Sequence, residues 1–158
     1  MELAWNSGRR LQKAIHMILI APFAKKLHNG KENPKNYPFW QDVIAGINET
    51  IVQVGVEDEQ QLVSDFRKNL TVKQLRDLIK ECRLWISCDS FLQHLGWDEK
   101  KQGIVLWSVS DPLIYGHLEN INLLKSRDYL SENQFMWWDF TEHDPDKFVS
   151  PEEVLRHI

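Results

Sequence analysis

The stretch LWISCDSFLQH, residues 84–94, decides how this chain is expected to fold. Its first five residues are mostly apolar and predict a buried strand, and the residues after Ser90 have the spacing of a short amphipathic helix. Asp89 and Ser90 lie at the turn between the two. In an open parallel α/β sheet, ligands bind beyond the carboxyl ends of the strands. The free N–H groups of the following helix are suited to an anion, most commonly phosphate.

The rest of the chain repeats this alternation of strands and helices. Apolar runs predict strands at residues 16–24, 50–56 and 103–107, and helical spacing predicts helices at 39–47, at 71–83 and from Ser150 onward. Residues 60–70 are expected to form a short helix and a short strand. Short apolar strands that alternate with helices predict an α/β fold, a Rossmann-like doubly wound parallel sheet with helices on both faces. Residues 1–15 are expected to be an N-terminal arm or linker, and residues 16–158 a single domain.

Composition excludes several classes of protein. The chain has 158 residues, which fits one domain, and 42% of them are hydrophobic, which argues against disorder. The net charge of −4 disfavours a nucleic-acid partner. No apolar run is long enough to span a bilayer and no signal-peptide cleavage pattern is present, so a cytoplasmic location is expected. There is no Cys-x-x-Cys or His-Glu-x-x-His motif, and no metal site is expected.

Four short motifs occur in a recognisable order. They are Lys35-Asn36-Tyr37-Pro38 after a first strand that ends near Pro22, Gly55 followed by Glu59, Asp89-Ser90-x-x-x-His94, and Ser110-Asp111-Pro112 after the next strand. Together they resemble the bacterial heptosyltransferase family, the family-nine glycosyltransferases. In that family the third motif is Asp-Ser/Thr-Gly-x-x-His, so Phe91 stands where the family has glycine. The family's Gly-Pro after the next strand is Ser108-Val109 here.

The resemblance implies the C-terminal, donor-binding half of a two-domain GT-B glycosyltransferase. The acceptor site and the acidic catalytic base belong to the family's N-terminal half, which has no counterpart in the matched residues, so no catalytic residue is assigned. The family reaction inverts the anomeric centre, and the only small molecule implied is the nucleotide-diphosphate sugar that serves as donor substrate, with no cofactor or metal. The resemblance implies that Lys35 binds the donor diphosphate and that Glu59 binds the ribose hydroxyls. It implies that Asp89 and Ser90 bind the diphosphate or the sugar. His94 would line the same pocket, with Ser110 and Asp111 near it.

Each of these residues also has a plain structural interpretation. Asp89 and Ser90 are favoured helix caps, Lys35 is one of several loop lysines, Glu59 belongs to an acidic run that could precede a helix, His94 could pack under the sheet, and Ser110-Asp111-Pro112 is a good turn sequence.

Two functions from different classes follow from the sequence. The first is a heptosyltransferase-like donor domain that binds a nucleotide sugar, with a second chain as a candidate to supply the acceptor domain. The second is a non-catalytic nucleotide-binding or protein-interaction domain derived from the same fold. The sequence leaves open whether the chain is an enzyme by itself. Trp137 and Trp138 are either a platform for an acceptor or part of core or lid packing.

Overall fold

The computed structural model describes residues 16–158, and the predicted arm at residues 1–15 lies outside them. Within the described residues, six parallel strands form one sheet in the order β3-β2-β1-β4-β5-β6. The strands are β1 (Met17–Ala21), β2 (Thr50–Gly55), β3 (Asp65–Lys68), β4 (Leu84–Cys88), β5 (Ile104–Trp107) and β6 (Ile121–Leu124). The helices are α1 (Trp40–Ala45), α2 (Val72–Glu81), α3 (Phe91–Asp98), α4 (Pro112–Tyr115) and α5 (Pro151–Leu155). The predicted α/β class and parallel sheet are confirmed, and the architecture is Rossmann-like.

Both faces of the sheet are buried, as continuous apolar strands require. In β1, Leu19 packs on the face covered by α2 and α3, and its neighbours Ile18 and Ile20 pack on the opposite face with α1 and α5. All three side chains are fully buried. This alternation gives the sheet two cores and leaves the ends of the strands as the place where polar side chains can gather.

The strand order reverses between β1 and β4. The chain starts at β1 in the middle of the sheet and adds β2 and then β3 on one side. After α2 it returns to the middle and adds β4, β5 and β6 on the other side. The loops after β1 and β4 therefore leave in opposite directions and open a crevice between them. In this class of sheet, that crevice is the usual place for a nucleotide.

The predicted helices at 71–83 and from Ser150 are present as α2 and α5, and each has an N-cap. The Thr71 hydroxyl accepts from the Gln74 N–H at 3.2 Å, and the Gln74 side chain accepts from the Thr71 N–H at 2.9 Å, which completes a capping box. Ser150 caps α5 by accepting from the N–H of Glu153 at 3.3 Å, with Pro151 in the first helical position.

The expectation of a short helix in residues 60–70 is wrong, although the short strand is present as β3. The fully buried Gln53 of β2 donates to the Gln60 carbonyl and accepts from the Leu62 N–H, both at 2.8 Å. These bonds satisfy backbone groups of Gln60 and Leu62 in the β2–β3 connection without a helix. The sequence analysis also did not predict β6.

The position of α3 depends on one large side chain beneath it. Trp85 of β4 is fully buried, and its ring lies against Gly96 of α3 and Gly103 at the start of β5. A methyl group at either glycine would collide with the indole. The two glycines therefore allow α3 to lie directly on the sheet, which places its first turn at the end of β4.

Replacing Gly96 by alanine tests this packing. Alanine is the better helix former by about 1 kcal/mol, but the collision with Trp85 should dominate and lower the free energy of unfolding by about 1–3 kcal/mol. Urea denaturation of Gly96→Ala measures the change. In a Trp85→Leu background the same replacement should lose its penalty, and a stabilised single variant would contradict the packing argument.

Candidate functional site

A cavity of about 690 Å³ lies at the reversal of strand order. Its wall is formed by the carboxyl ends of β1, β2 and β4, by the first residues of α3, and by the segment at Trp137–Asp139 near the carboxyl end of the chain. Of the residues that the sequence analysis selected, Lys35, Glu59, Asp89 and Ser90 line this cavity, and His94, Ser110 and Asp111 do not. The volume is within the usual range for a small-molecule site.

The Asp89 carboxylate is the most heavily bonded group at this site. It accepts from the Gln93 side-chain amide at 2.6 Å, from the Ser110 hydroxyl at 2.8 Å and from the Lys35 ammonium at 2.9 Å. Only 7% of the Asp89 side chain is exposed. Because protein donors already occupy both of its oxygens, the carboxylate acts here as the acceptor that orients Lys35.

Lys35 reaches this position because its loop is rigidly held. Asn36 accepts from the N–H of Ala24 at 2.8 Å, and Asn33 accepts from the Lys35 N–H at 3.0 Å and donates to the Lys25 carbonyl at 2.8 Å. Both asparagines are buried. Buried hydrogen bonds therefore order the long polar loop after β1, and the loop directs Lys35 back towards the sheet.

The Lys35 ammonium has a carboxylate and two aromatic rings close to it. Its Nζ is 2.9 Å from the Asp89 carboxylate, 5.0 Å from the centre of the Trp138 ring and 6.0 Å from that of Tyr115. Only 16% of the side chain is exposed. Burial among partners that all favour the positive charge keeps the ammonium fixed at the cavity wall.

Ser90 is the N-cap of α3, and its side chain makes no capping hydrogen bond. The first N–H groups of a helix have no partner within the helix, and Ser90, Phe91 and Leu92 all line the cavity. The N-terminal end of α3 therefore borders the same space as Lys35. Phe91 occupies the first helical position and remains 56% exposed beside it.

Glu59 contrasts with Asp89. Its Oε2 atom is buried and has no hydrogen-bond partner among the described residues. Burial raises the pKa of this carboxyl above its usual value, more than the Val56 backbone and the Lys26 charge lower it. The carboxylate lies directly over Gly55, where any side chain would collide with it. An acceptor that is buried, unpaired and part of a cavity wall costs free energy unless a ligand donates to it.

His94 lies in a different cluster. Its Nδ1 is 2.8 Å from Nε2 of His117, and the His117 ring stacks on Trp97 with centres 4.5 Å apart. Burial, followed by the proximity of His117, lowers the pKa of His94. His94 is one helical turn beyond the residues of α3 that line the cavity, which explains why it does not share their wall.

Ser110 and Asp111 belong to the loop after β5. Ser110 joins the site only through its bond to Asp89. Asp111 caps α4 by accepting from the N–H of Leu113 at 2.9 Å, and it accepts two bonds from Arg127, at 3.1 and 2.7 Å. The hydrogen bond from Arg127 holds the pKa of Asp111 below its usual value. For Asp111, the geometry is that of a turn and helix cap.

Two groups of residues were not predicted as part of the site. Gln93 was overlooked, although its position four residues after Asp89 places the two on one face of a helix. The segment around Trp138 was predicted only as a platform or as packing. Its Asp139 accepts from the His28 N–H at 2.9 Å and its carbonyl accepts from Asn29 at 3.0 Å, which ties this segment to the loop that carries Lys35.

Residues 16–158 show neither a candidate metal centre nor a candidate membrane span. No group of three or more His, Cys, Asp or Glu side chains is arranged to hold a metal ion. None of the helices in this part of the chain has the length and apolar character needed to cross a membrane.

The hydrogen bonds and ion pair of Asp89 are expected to stabilise the folded chain. In Asp89→Asn the buried Lys35 ammonium loses its counter-charge, and the free energy of unfolding should fall by about 3 kcal/mol. The matched control is Asp77→Asn, which removes an exposed i,i+4 pair with Lys73 at 3.0 Å and should cost less than about 0.5 kcal/mol. Chemical denaturation of both variants measures the difference, and equal losses would contradict a structural role for Asp89.

The unpaired Glu59 makes a prediction about pH. Because its pKa is raised in the folded chain, its contribution to stability is complete at low pH and is lost as the pH rises through the folded-state value. Glu59→Gln stays neutral, so we expect it to be more stable than the parent chain at neutral pH. This advantage should shrink as the pH falls through the raised folded-state pKa towards 4.5, the ordinary value for glutamate, and should be smallest below it. Thermal melting across this range measures it, with the exposed Glu57→Gln as control, and a constant difference would show that Glu59 does not titrate as described.

Comparison of the chain with family models, with curated proteins and with solved structures found no match. The functional assignment therefore depends on the residues of the cavity and their geometry.

Proposed function

We propose that this chain is the donor-binding domain of a nucleotide-sugar-dependent glycosyltransferase of the heptosyltransferase type. One observation carries the proposal. A single cavity, at the reversal of strand order, combines an unpaired carboxylate at Glu59 with an oriented ammonium at Lys35. A nucleoside diphosphate has the complementary groups, a ribose diol that donates hydrogen bonds and a diphosphate that needs positive charge.

The ribose would occupy the side of the cavity formed by the end of β2. Glu59 has a free acceptor there, and two ribose hydroxyls can donate to one carboxylate. Such donation would stabilise the charged form of Glu59, which burial alone disfavours. The side chains of Val54, Leu70 and Leu75 line the same part of the cavity and offer an apolar surface to a nucleobase.

The diphosphate would lie on the other side of the crevice. Lys35 and the first turn of α3 meet there, and Lys25 and Lys26 also line the cavity. Helix N-termini and ammonium groups together bind phosphate because N–H donors and positive charge act on the same oxygens. Asp89 does not need to touch the ligand in this arrangement, since its role is to hold Lys35 in place.

In sugar transfer the bond between the anomeric carbon and the diphosphate oxygen breaks as an acceptor oxygen attacks from the opposite face. Negative charge then accumulates on the departing diphosphate. Lys35 and the N–H groups of α3 are preorganised to stabilise that charge, which is the largest contribution that this domain could make to the rate. The base that removes the acceptor's proton would come from the acceptor domain, supplied by another part of the protein or by a second chain.

A non-catalytic binding domain is the second candidate, and Phe91 favours it. Its ring lies at the cavity wall in the first turn of α3, where the resembling family has glycine. Glycine lets a ligand approach the backbone closely, whereas a phenyl ring takes up that space. If Phe91 fills the phosphate position, the domain has kept the fold and lost the donor.

Calorimetric titration of the chain with ADP-, UDP-, GDP- and CDP-sugars tests the proposal. We expect micromolar binding of one nucleotide series, weakened about tenfold or more in Lys35→Met and in Glu59→Gln. The control is Lys31→Met, because Lys31 lies in the same loop, is exposed, pairs with Glu142 at 2.9 Å and does not line the cavity.

Glu59→Gln is the more informative variant, since it should bind more weakly while being more stable at neutral pH. Absence of binding across the whole panel would overturn the donor-site proposal. Binding that appears only in Phe91→Gly would instead support the non-catalytic alternative.

A further inference from the structure

The segment before α5 exposes several large aromatic side chains. Phe135, Trp137 and Phe140 are 83%, 70% and 78% exposed. Of these three, only Trp137 lines the cavity. An indole that is open to solvent on a cavity wall offers a flat apolar surface to a ligand, and this distinguishes Trp137 from its two neighbours.

Trp137 is held in a defined orientation. Its ring contacts His28 edge to face, with centres 5.4 Å apart and planes at 78°. The next two residues are anchored, since Trp138 packs over Lys35 at 5.0 Å and Asp139 accepts from the His28 N–H at 2.9 Å. A ring whose orientation is already fixed loses little conformational entropy when a ligand binds. Less of the favourable free energy of the contact is therefore offset.

The residues of the proposed donor site lie near the ends of different strands. Glu59 follows β2, and Lys35 is tied to Asp89 at the end of β4. Farther along, Trp138 packs against Tyr115 of α4, which follows β5, with ring centres 6.5 Å apart. Trp138 lies over Lys35 at 5.0 Å, so the segment that contains Trp137 borders the position proposed for the diphosphate, and a group joined to that diphosphate lies beside it.

We propose that Trp137 is the platform on which the glycosyl group of the donor packs. The inference rests on the proposed function, because it takes the ribose and diphosphate positions from it. The C–H face of a pyranose ring is apolar and matches an indole surface in size, while its hydroxyls need polar neighbours. His28 and Asp139 line the same wall and can supply them.

The closing experiment compares two ligands on three proteins. The ligands are the sugar nucleotide that binds best and the corresponding nucleoside diphosphate without the sugar. The proteins are the parent chain, Trp137→Ala, and the control Phe140→Ala, which removes an exposed ring of the same segment that does not line the cavity. Calorimetry gives the affinities. Proton NMR of the bound sugar reports ring-current shifts of its C–H protons.

We expect Trp137→Ala to weaken binding of the sugar nucleotide about three- to tenfold and to leave binding of the nucleoside diphosphate unchanged. The upfield shifts of the sugar protons should disappear in the same variant. Phe140→Ala should match the parent chain with both ligands.

Equal weakening of both ligands by Trp137→Ala would place the indole against the nucleoside and overturn the inference. No effect on either ligand would also overturn it, while leaving the donor site intact. If the parent chain binds neither ligand, the proposed function fails and this inference fails with it, an outcome that the parent titration identifies separately.

Discussion

The geometry of the cavity depends on one buried carboxylate, that of Asp89. It draws together three segments that are distant in sequence, since its donors come from the loop after β1, from α3 and from the loop after β5. A carboxylate that is withdrawn from water must be fully bonded or it destabilises the fold. That requirement fixes Lys35 at the cavity wall. An ammonium on a flexible four-carbon stem is thereby held in one orientation before any ligand arrives.

Asp89 and Glu59, two of the carboxylates that line the cavity, show how the same chemical group serves different purposes. Asp89 is saturated with donors from the protein, and Glu59 has a buried oxygen with none. A buried carboxylate with all its hydrogen bonds made contributes to the structure. A buried oxygen without a hydrogen bond carries a free-energy penalty that a donor group of a ligand can remove. Burial raises the pKa of Glu59 for this reason. The difference between Asp89 and Glu59 therefore separates the framework of the cavity from the part that can recognise a ligand.

The segment at Trp137–Asp139 adds a wall to the crevice. It is held by bonds to the loop after β1 and by the packing of Trp138 over Lys35. Gln134 adds an anchor, since its side chain donates to the Val109 carbonyl at 2.8 Å and accepts from the N–H of Asp111. Residues from the last quarter of the chain thus complete a wall that begins with residues of the first quarter.

The amino-acid sequence by itself determined the parallel sheet, the capping box of α2, the N-cap of α5 and the position of Asp89 and Ser90 at a strand end, because apolar periodicity and capping are local signals. Lys35 and Glu59 were selected through the resemblance of four short motifs to a known family. Only the tertiary structure decided that β6 is a strand, since its Asn122 interrupts the apolar run and is satisfied by a bond from Trp107 at 2.9 Å. The non-helical β2–β3 connection likewise depends on the side chain of Gln53, which bonds backbone groups seven and nine residues further along the chain. The separation of His94 from the cavity and the role of Asp89 as an internal acceptor were also tertiary outcomes, because both follow from which segments meet in space.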